Sequence, residues 1–185
     1  MNRTENMIVE AFSQLLEEKA FSKITVKNIV DQCGINRNTF YYHFQDIPTL
    51  CERVWEEKVN ALMQAHYALG SIADCVSVII QYFTAHKKAV LHIYRSLPRE
   101  VFLKYLNRLF LHMVHEYMEA VSAGLPISDP DKTLITRYYK CMFVGIFLDW
   151  LDAGLQYDLL EVALRICELR GDSGKQMILN ACAGS

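Results

Sequence analysis

The chain has 185 residues, of which 52% are hydrophobic and 22% are charged, and its net charge is −2. This composition is typical of a soluble globular protein and excludes a disordered or collagen-like chain. Glycine and proline number only 8 and 4, which favours long helices over strands joined by tight turns. The longest apolar run, from Cys141 to Leu148, is shorter than the roughly 20 residues that a membrane-spanning helix needs. We therefore expect an all-α protein with no membrane partner.

No catalytic, metal or cofactor motif stands out in the sequence. The N-terminal residues lack the pattern of an export signal, so we expect a cytoplasmic protein whose six cysteines are thiols. There is no C-x-x-C pair, no P-loop and no G-x-G-x-x-G, so the sequence predicts no cofactor, no metal and no enzymatic activity. Metal-ligand side chains do occur on neighbouring turns of one helix, but not in the H-E-x-x-H order, and a solvated or pocket-edge face is the favoured interpretation of His112, His115, Glu116 and Glu119.

Helical periodicity and capping residues predict three short helices at the N-terminal end, over residues 4–19, 26–33 and 37–44. Thr25 offers a hydroxyl that can cap the second of these helices, and Asn36 offers an amide that can cap the third. We assign residues 1–46 to a helix-turn-helix domain.

Six further helices, for a total of about nine, are predicted from the same signals. Asp129 is the expected cap of the eighth helix, with Pro130 in its first turn, and the tail after Gly171 is weakly patterned. We expect residues 47–185 to form a second domain, a larger helical bundle. The predicted spans are 47–69, 71–86, a short helix through 94, one from 98, 129–154 and 158–170.

The eighth and ninth helices carry more apolar side chains than one face can bury. Apolar residues of the eighth helix point in all directions, and Glu161, Arg165 and Glu168 form only a narrow polar stripe on the ninth. A helix that is apolar all round has to be covered on more than one side. This pattern predicts a homodimer through these two helices, at about residues 130–170.

The third helix has the position and polarity of a DNA-recognition helix. A helix, a turn that contains Gly34 and a short helix with polar N-terminal residues make a helix-turn-helix arrangement, whose second helix enters the major groove. Arg37, Asn38 and Thr39 would meet base edges there. Phe40 and Phe44, four residues apart, would hold the helix against the first two.

Three large amphipathic side chains of this helix have no obvious partner within so small a domain. Tyr41, Tyr42 and His43 follow one another, and their hydroxyl and imidazole groups can bond phosphate oxygens or base edges. DNA would therefore cover what the domain itself leaves bare.

The stretch FSKITVKNIVDQCGINRNTFYYHFQDIPTL resembles the N-terminal domain of TetR-type transcription regulators. The segments TFYYHFQD and FVGIFLDWLDAGL are similar to the subgroup that includes the dihydroxyacetone-kinase operon activator. The resemblance implies an effector-binding and dimerising domain after the helix-turn-helix. The matching positions are Phe21, Thr25, Val26, Ile29, Gly34, Ile35, Asn36, Tyr41, His43, Phe44 and Leu50.

Carried over residue by residue, the resemblance implies a set of DNA contacts, divided between phosphates and bases. The family usually has Lys where Ile47 stands and favours Ala where Val30 stands, and losing that Lys removes one cationic phosphate contact per subunit. The expected phosphate contacts are Thr25, Lys27, Tyr41 and His43. The expected base-facing residues are Arg37, Asn38, Thr39 and Tyr42, and Val26 completes the predicted DNA-binding set.

The aromatic and histidine residues of the fourth to eighth helices have two interpretations. They are either satisfied core residues or the few polar groups of an apolar ligand cavity, and the resemblance favours the cavity. The candidate ligand residues are His66, His86, Tyr94, Tyr105 and Tyr138.

The expected function is that of a ligand-responsive regulator, a repressor rather than an activator, which binds double-stranded operator DNA as a dimer and responds to a small-molecule effector. The alternative is a co-regulator module with weak or no DNA affinity of its own, which recruits a sensor or partner protein. Ile47 and the 9 acidic against 7 basic residues of the first 58 favour this alternative.

Overall fold

The computed structural model describes residues 3–64, 72–170 and 173–183, and within these ranges it contains helices and no strands. Ten α-helices and a short 3-10 helix at Phe21–Lys23 follow one another along the chain, which confirms the all-α prediction. The α-helices are α1 (Arg3–Glu18), α2 (Val26–Cys33), α3 (Arg37–His43), α4 (Ile47–Gln64), α5 (Ile72–Ala85), α6 (Lys87–Ser96), α7 (Arg99–Val121), α8 (Asp129–Asp152), α9 (Leu159–Arg170) and α10 (Ser173–Ala183).

Within the described residues, the predicted helices agree with the observed ones, with two differences. The predicted end of the fourth helix at residue 69 and the predicted start of the fifth at residue 71 lie outside the described residues. The cap of α8 is Ser128, whose Oγ accepts a hydrogen bond from Asp131 N, and the prediction that Asp129 caps this helix is wrong. Asp129 is instead the first helical residue, where its carboxylate lies at the positive end of the helix dipole. The weakly patterned tail contains a further helix, α10, so the count exceeds the nine predicted.

The helices pack into two compact units. The first contains residues 1–61 and 85–105, so α6 packs beside α1 in the same unit as the helix-turn-helix. His92 Nδ1 donates to the carbonyl of Leu16 at 2.8 Å, and His86 Nδ1 lies 3.1 Å from Glu17 Oε1. These contacts join the C-terminal end of α1 to α6. The division into domains at residues 1–46 and 47–185 stays a prediction.

An aromatic stack fills the core of this first unit. The rings of Trp55 and Phe102 are parallel within 9° and their centroids lie 4.7 Å apart. The ring of Tyr94 meets Phe102 edge-on at 4.9 Å. Such pairs add to the free energy gained by burying their area.

The second unit contains residues 62–84 and 106–185 and has its own aromatic core. Phe147 of α8 is fully buried and meets Phe83 of α5 at 5.4 Å, Phe110 of α7 at 4.7 Å and Trp150 at 5.6 Å. Trp150 Nε1 also donates to the carbonyl of Tyr157 at 2.9 Å, which fixes the connection from α8 to α9. Among the described residues, no helix combines the length and the hydropathy that crossing a membrane would require.

The turn of the helix-turn-helix depends on the left-handed backbone of Gly34. Its φ is +67°, and a Cβ added there would meet no atom within 4 Å, so only the backbone conformation opposes a side chain. We expect Gly34→Ala to lower the free energy of unfolding by about 1 kcal/mol, as measured by urea denaturation. Gly34→Asn is the matched control and should cost less, since Asn enters the left-handed region more readily. Equal stability of the wild type and Gly34→Ala would contradict this account.

Candidate nucleic-acid interface

Side chains at the helix ends fix both helices of the helix-turn-helix. At the start of α2, Thr25 Oγ1 accepts from Asn28 N at 3.2 Å, and Asn28 Oδ1 accepts from Thr25 N at 3.0 Å, a reciprocal capping box. At the start of α3, Asn36 Oδ1 accepts from Thr39 N at 2.9 Å. The predicted caps Thr25 and Asn36 are therefore confirmed.

Helix α3 has seven residues and only one of its faces is buried. Phe40 is fully buried and Phe44, the residue that ends the helix, is nearly so. Tyr41 is 55% exposed and Tyr42 is 83% exposed, while His43 is partly buried with its ring edge-on to that of Tyr42 at 5.0 Å. The burial of Phe40 and Phe44 thus leaves the two tyrosines on the surface of the chain.

The other residues of the predicted DNA-binding set also lie at the surface. Arg37 and Asn38 are exposed at the N-terminal end of α3, and Thr39 beside them is partly buried. Thr25 and Lys27 are exposed at the N-terminal end of α2, and Val26 between them is partly buried. The structure therefore places all nine residues at the N-terminal end of α2 or along α3. Their contact with DNA stays a prediction.

The geometry at the start of α2 reveals donors that the sequence pattern does not single out. The hydroxyl of Thr25 donates to Asn28 Oδ1 at 2.9 Å, so its proton is already engaged. The main-chain N–H groups of Val26 and Lys27 lie in the first turn of the helix, where no intrahelical acceptor exists. These N–H groups, rather than the hydroxyl, are suited to a phosphate oxygen. The spacing T-x-x-N is the signal that could have indicated them.

The surface around α3 is locally basic despite the net negative charge of the chain. Lys23, Lys27 and Arg37 are exposed and make no ion pair with any residue that the structure describes, and Asp31 is the one acidic residue between positions 19 and 43.

Three acidic side chains of the N-terminal part are grouped around one arginine. Arg53 Nε lies 3.6 Å from Glu5 Oε1 and 3.3 Å from Glu57 Oε1, and its Nη1 lies 3.4 Å from Glu56 Oε2. Burial raises the pKa of the Glu57 carboxyl above its ordinary value, although Arg53 opposes that shift. Arg53 is therefore committed to carboxylates, unlike Lys23, Lys27 and Arg37 near α3.

Helix α4 begins without the cation that the family resemblance leads one to expect. Its first residue, Ile47, is partly buried. Asp46 caps the helix by accepting from Thr49 N at 2.8 Å, and this backbone hydrogen bond lowers the pKa of the Asp46 carboxyl. The start of α4 therefore presents a carboxylate rather than a lysine.

The candidate ligand residues lie in different surroundings, and His66 lies outside the described residues. His86 is exposed beside Glu17 on the surface of the first unit. Tyr105 is buried there and donates to Glu52 Oε1 at 3.0 Å, and Tyr94 packs against the Phe102 ring. Tyr138 of the second unit is 50% exposed on α8. Their role in ligand binding stays a prediction.

An all-α chain with a helix-turn-helix near its N-terminus has the architecture of a transcription regulator. The profile of bacterial regulatory proteins of the tetR family matches residues 8–54, and that of a transcriptional regulator C-terminal region matches residues 70–171, more than half of the chain. The chain belongs to the TetR family of transcriptional regulators, which confirms the resemblance. This family is not an enzyme class.

Two curated relatives and two solved structures are similar to the chain. An uncharacterised HTH-type regulator of Haemophilus influenzae is 28% identical over 131 residues, 65% of this chain and 64% of that protein. YxbF of Bacillus subtilis, of the same description, is 24% identical over 159 residues, 82% of this chain and 40% of that protein. The chain thus spans less than two thirds of the length of both relatives.

The solved structures share the fold. The dihydroxyacetone kinase operon activator DhaS is 20% identical with a TM-score of 0.71, over 90% of this chain and 93% of that one. The fatty acid degradation regulator FadR from Bacillus halodurans is 17% identical with a TM-score of 0.57, over 91% of this chain and 95% of that one.

The difference in burial between Phe40 and Tyr42 predicts very different effects of their substitution on stability. We expect Phe40→Ala to lower the free energy of unfolding by about 3–5 kcal/mol, because it empties a fully buried site. Tyr42→Ala should change it by less than about 0.5 kcal/mol, because Tyr42 is an exposed side chain. Urea denaturation of both variants measures these values. A large loss in Tyr42→Ala would show that this ring is part of the core.

Proposed function

We propose that the chain binds operator DNA as a homodimer, with α3 of each subunit in a major-groove half-site. The observation that carries the proposal is the exposure of Tyr41 and Tyr42 beside Arg37 and Asn38, on a helix of which Phe40 is the one buried residue. Arg37 makes no ion pair within the described chain and would form two hydrogen bonds with guanine. Asn38 would form two with adenine. Tyr41, His43 and the first-turn N–H groups of α2 would bind phosphates.

The distribution of charge supports DNA binding despite the negative total. Cations that are free of ion pairs, Lys23, Lys27 and Arg37, flank the helix-turn-helix, while the carboxylates of Glu5, Glu56 and Glu57 are grouped around Arg53. Few cations per subunit mean few displaced counterions, so we expect a shallow dependence of affinity on salt. Ile47 in place of the family's lysine removes one more phosphate contact and so also makes the salt dependence of affinity shallower.

The dimer would form through the bare apolar surface of α8 and α9. Leu134 is 63% exposed in the single chain, and four further apolar side chains of these helices lie at the surface with it. A two-fold axis brings the same patch of both subunits together, so one surface supplies both sides of the contact. The other four are Tyr138, Val162, Leu164 and Leu169.

We further propose that the protein is cytoplasmic, that a small-molecule effector shifts the dimer between two spacings of α3, and that the regulatory effect is repression. An effector shifts such an equilibrium only as far as its affinities for the two spacings differ. Repression requires operator binding alone, whereas activation requires a further surface for the transcription machinery.

Operator binding is tested with a duplex that the protein itself selects from random sequences. We expect Tyr42→Ala to weaken binding by about tenfold or more, because a base-edge contact is worth about 1–3 kcal/mol. Lys27→Gln should reduce the salt slope by about 1 per subunit, because one phosphate contact is lost. Fluorescence anisotropy at several salt concentrations measures both effects.

Lys104→Gln, an exposed cation on α7, is the matched control and should leave binding and its salt slope unchanged. The proposal fails if no duplex is selected at low salt, and the co-regulator alternative then stands. It also fails if Tyr42→Ala binds as tightly as the wild type.

The dimer is tested by placing a charge on the bare face of α8. We expect Leu134→Glu to raise the dimer dissociation constant by at least about tenfold, because burying an unpaired carboxylate costs several kcal/mol. Leu125→Glu, an exposed leucine between α7 and α8, is the control and should remain dimeric. Sedimentation equilibrium measures the dimer dissociation constant of both variants. A dimer that is indifferent to Leu134→Glu would assign the interface to another surface.

A further inference from the structure

A groove of about 610 Å³ lies between α7 and α8 in the second unit, and none of the predicted ligand residues lines it. The two helices run antiparallel, with Lys140 Nζ donating to Asn107 Oδ1 at 3.0 Å and Lys132 Nζ lying 3.9 Å from Glu119 Oε1. At a rise of 1.5 Å per residue, these two contacts are about 18 Å apart along α7. They mark the two ends of the groove.

The two ends of the groove differ in charge. At the Glu119 end, Glu119 and Asp129 offset Lys132, and at the other end Arg137 and Lys140 lie one turn apart on α8. Arg137 makes no ion pair within the described chain, and the partner of Lys140 is a neutral amide. Asp129 is about 12 Å from Arg137 along the helix. Positive charge is therefore uncompensated at one end only.

The same end offers a hydroxyl group and an apolar surface. Thr136, next to Arg137, is only 8% exposed and lines the groove, and its hydroxyl makes no hydrogen bond to any part of the chain that the structure describes. Leu111 of α7 lines the groove and is 49% exposed. Two cations and a hydroxyl suit an acidic group, and the leucine suits a short apolar body.

We propose that this groove binds a small organic anion, a carboxylate or phosphate monoester with a short apolar body. Arg137 and Lys140 bind the acidic group, Thr136 donates to it, and Leu111 contacts the body. Tyr138, next to Arg137 in the chain, belongs to the proposed dimer surface. A ligand in the groove would therefore contact α8, the helix that also joins the subunits. This regulatory consequence rests on the proposed function, whereas the binding itself does not.

Isothermal titration calorimetry of the full chain without DNA tests the site with hexanoate and hexyl phosphate, and with hexanol as the neutral probe. We expect both anions to bind at least about tenfold more tightly than hexanol, because only they engage the two cations. Arg137→Gln and Lys140→Gln should each weaken anion binding by about tenfold. The anion affinity of Arg137→Lys should fall between those of the wild type and Arg137→Gln, because lysine keeps the charge but lacks the planar guanidinium that forms two hydrogen bonds.

Lys104→Gln is the matched control and should bind both anions as the wild type does. The inference is overturned if neither anion binds, if hexanol binds as tightly, or if Arg137→Gln and Lys140→Gln bind with unchanged affinity. Operator binding of the same ligand-free preparation separates the two proposals. Anion binding without operator binding refutes only the proposed function, and operator binding without anion binding refutes only this site.

Discussion

The burial of Phe40 is the contact on which the exposed surface of α3 depends. A helix of seven residues is too short to be stable alone, so packing has to hold α3 in place. Phe40 and Phe44 supply that packing, and Asn36 closes the first turn. The other side chains of the helix are exposed, apart from Thr39 and His43, which are partly buried. The small size of the helix therefore leaves most of its side chains exposed or partly buried.

The sequence predicts those parts of the structure that depend on neighbours in the chain. The ends of α2 and the caps Thr25 and Asn36 are local, since a cap bonds an N–H group within three residues. At the start of α8 two successive residues, Ser128 and Asp129, are both suitable caps, so the capping preference alone does not decide between them. In the structure Ser128 caps the helix. The exposure of Tyr42 follows from its position relative to the two phenylalanines.

Contacts between distant parts of the chain could not be predicted in this way. The hydrogen bond from His92 to the Leu16 carbonyl joins residues 76 positions apart, and no local pattern indicates it. It places α6 in the same compact unit as the helix-turn-helix. The sequence does not predict the groove at Arg137 either. Its lining comes from two helices whose antiparallel register appears only in the structure.

Protection of Tyr42 from nitration by tetranitromethane, read by mass spectrometry, tests the central claim most directly. In the free protein Tyr41 and Tyr42 should react readily, since both are exposed. Bound to a duplex that the protein has selected, both should be protected. If Tyr42 reacts as fast in the complex as in the free protein, α3 does not face DNA and the account is wrong.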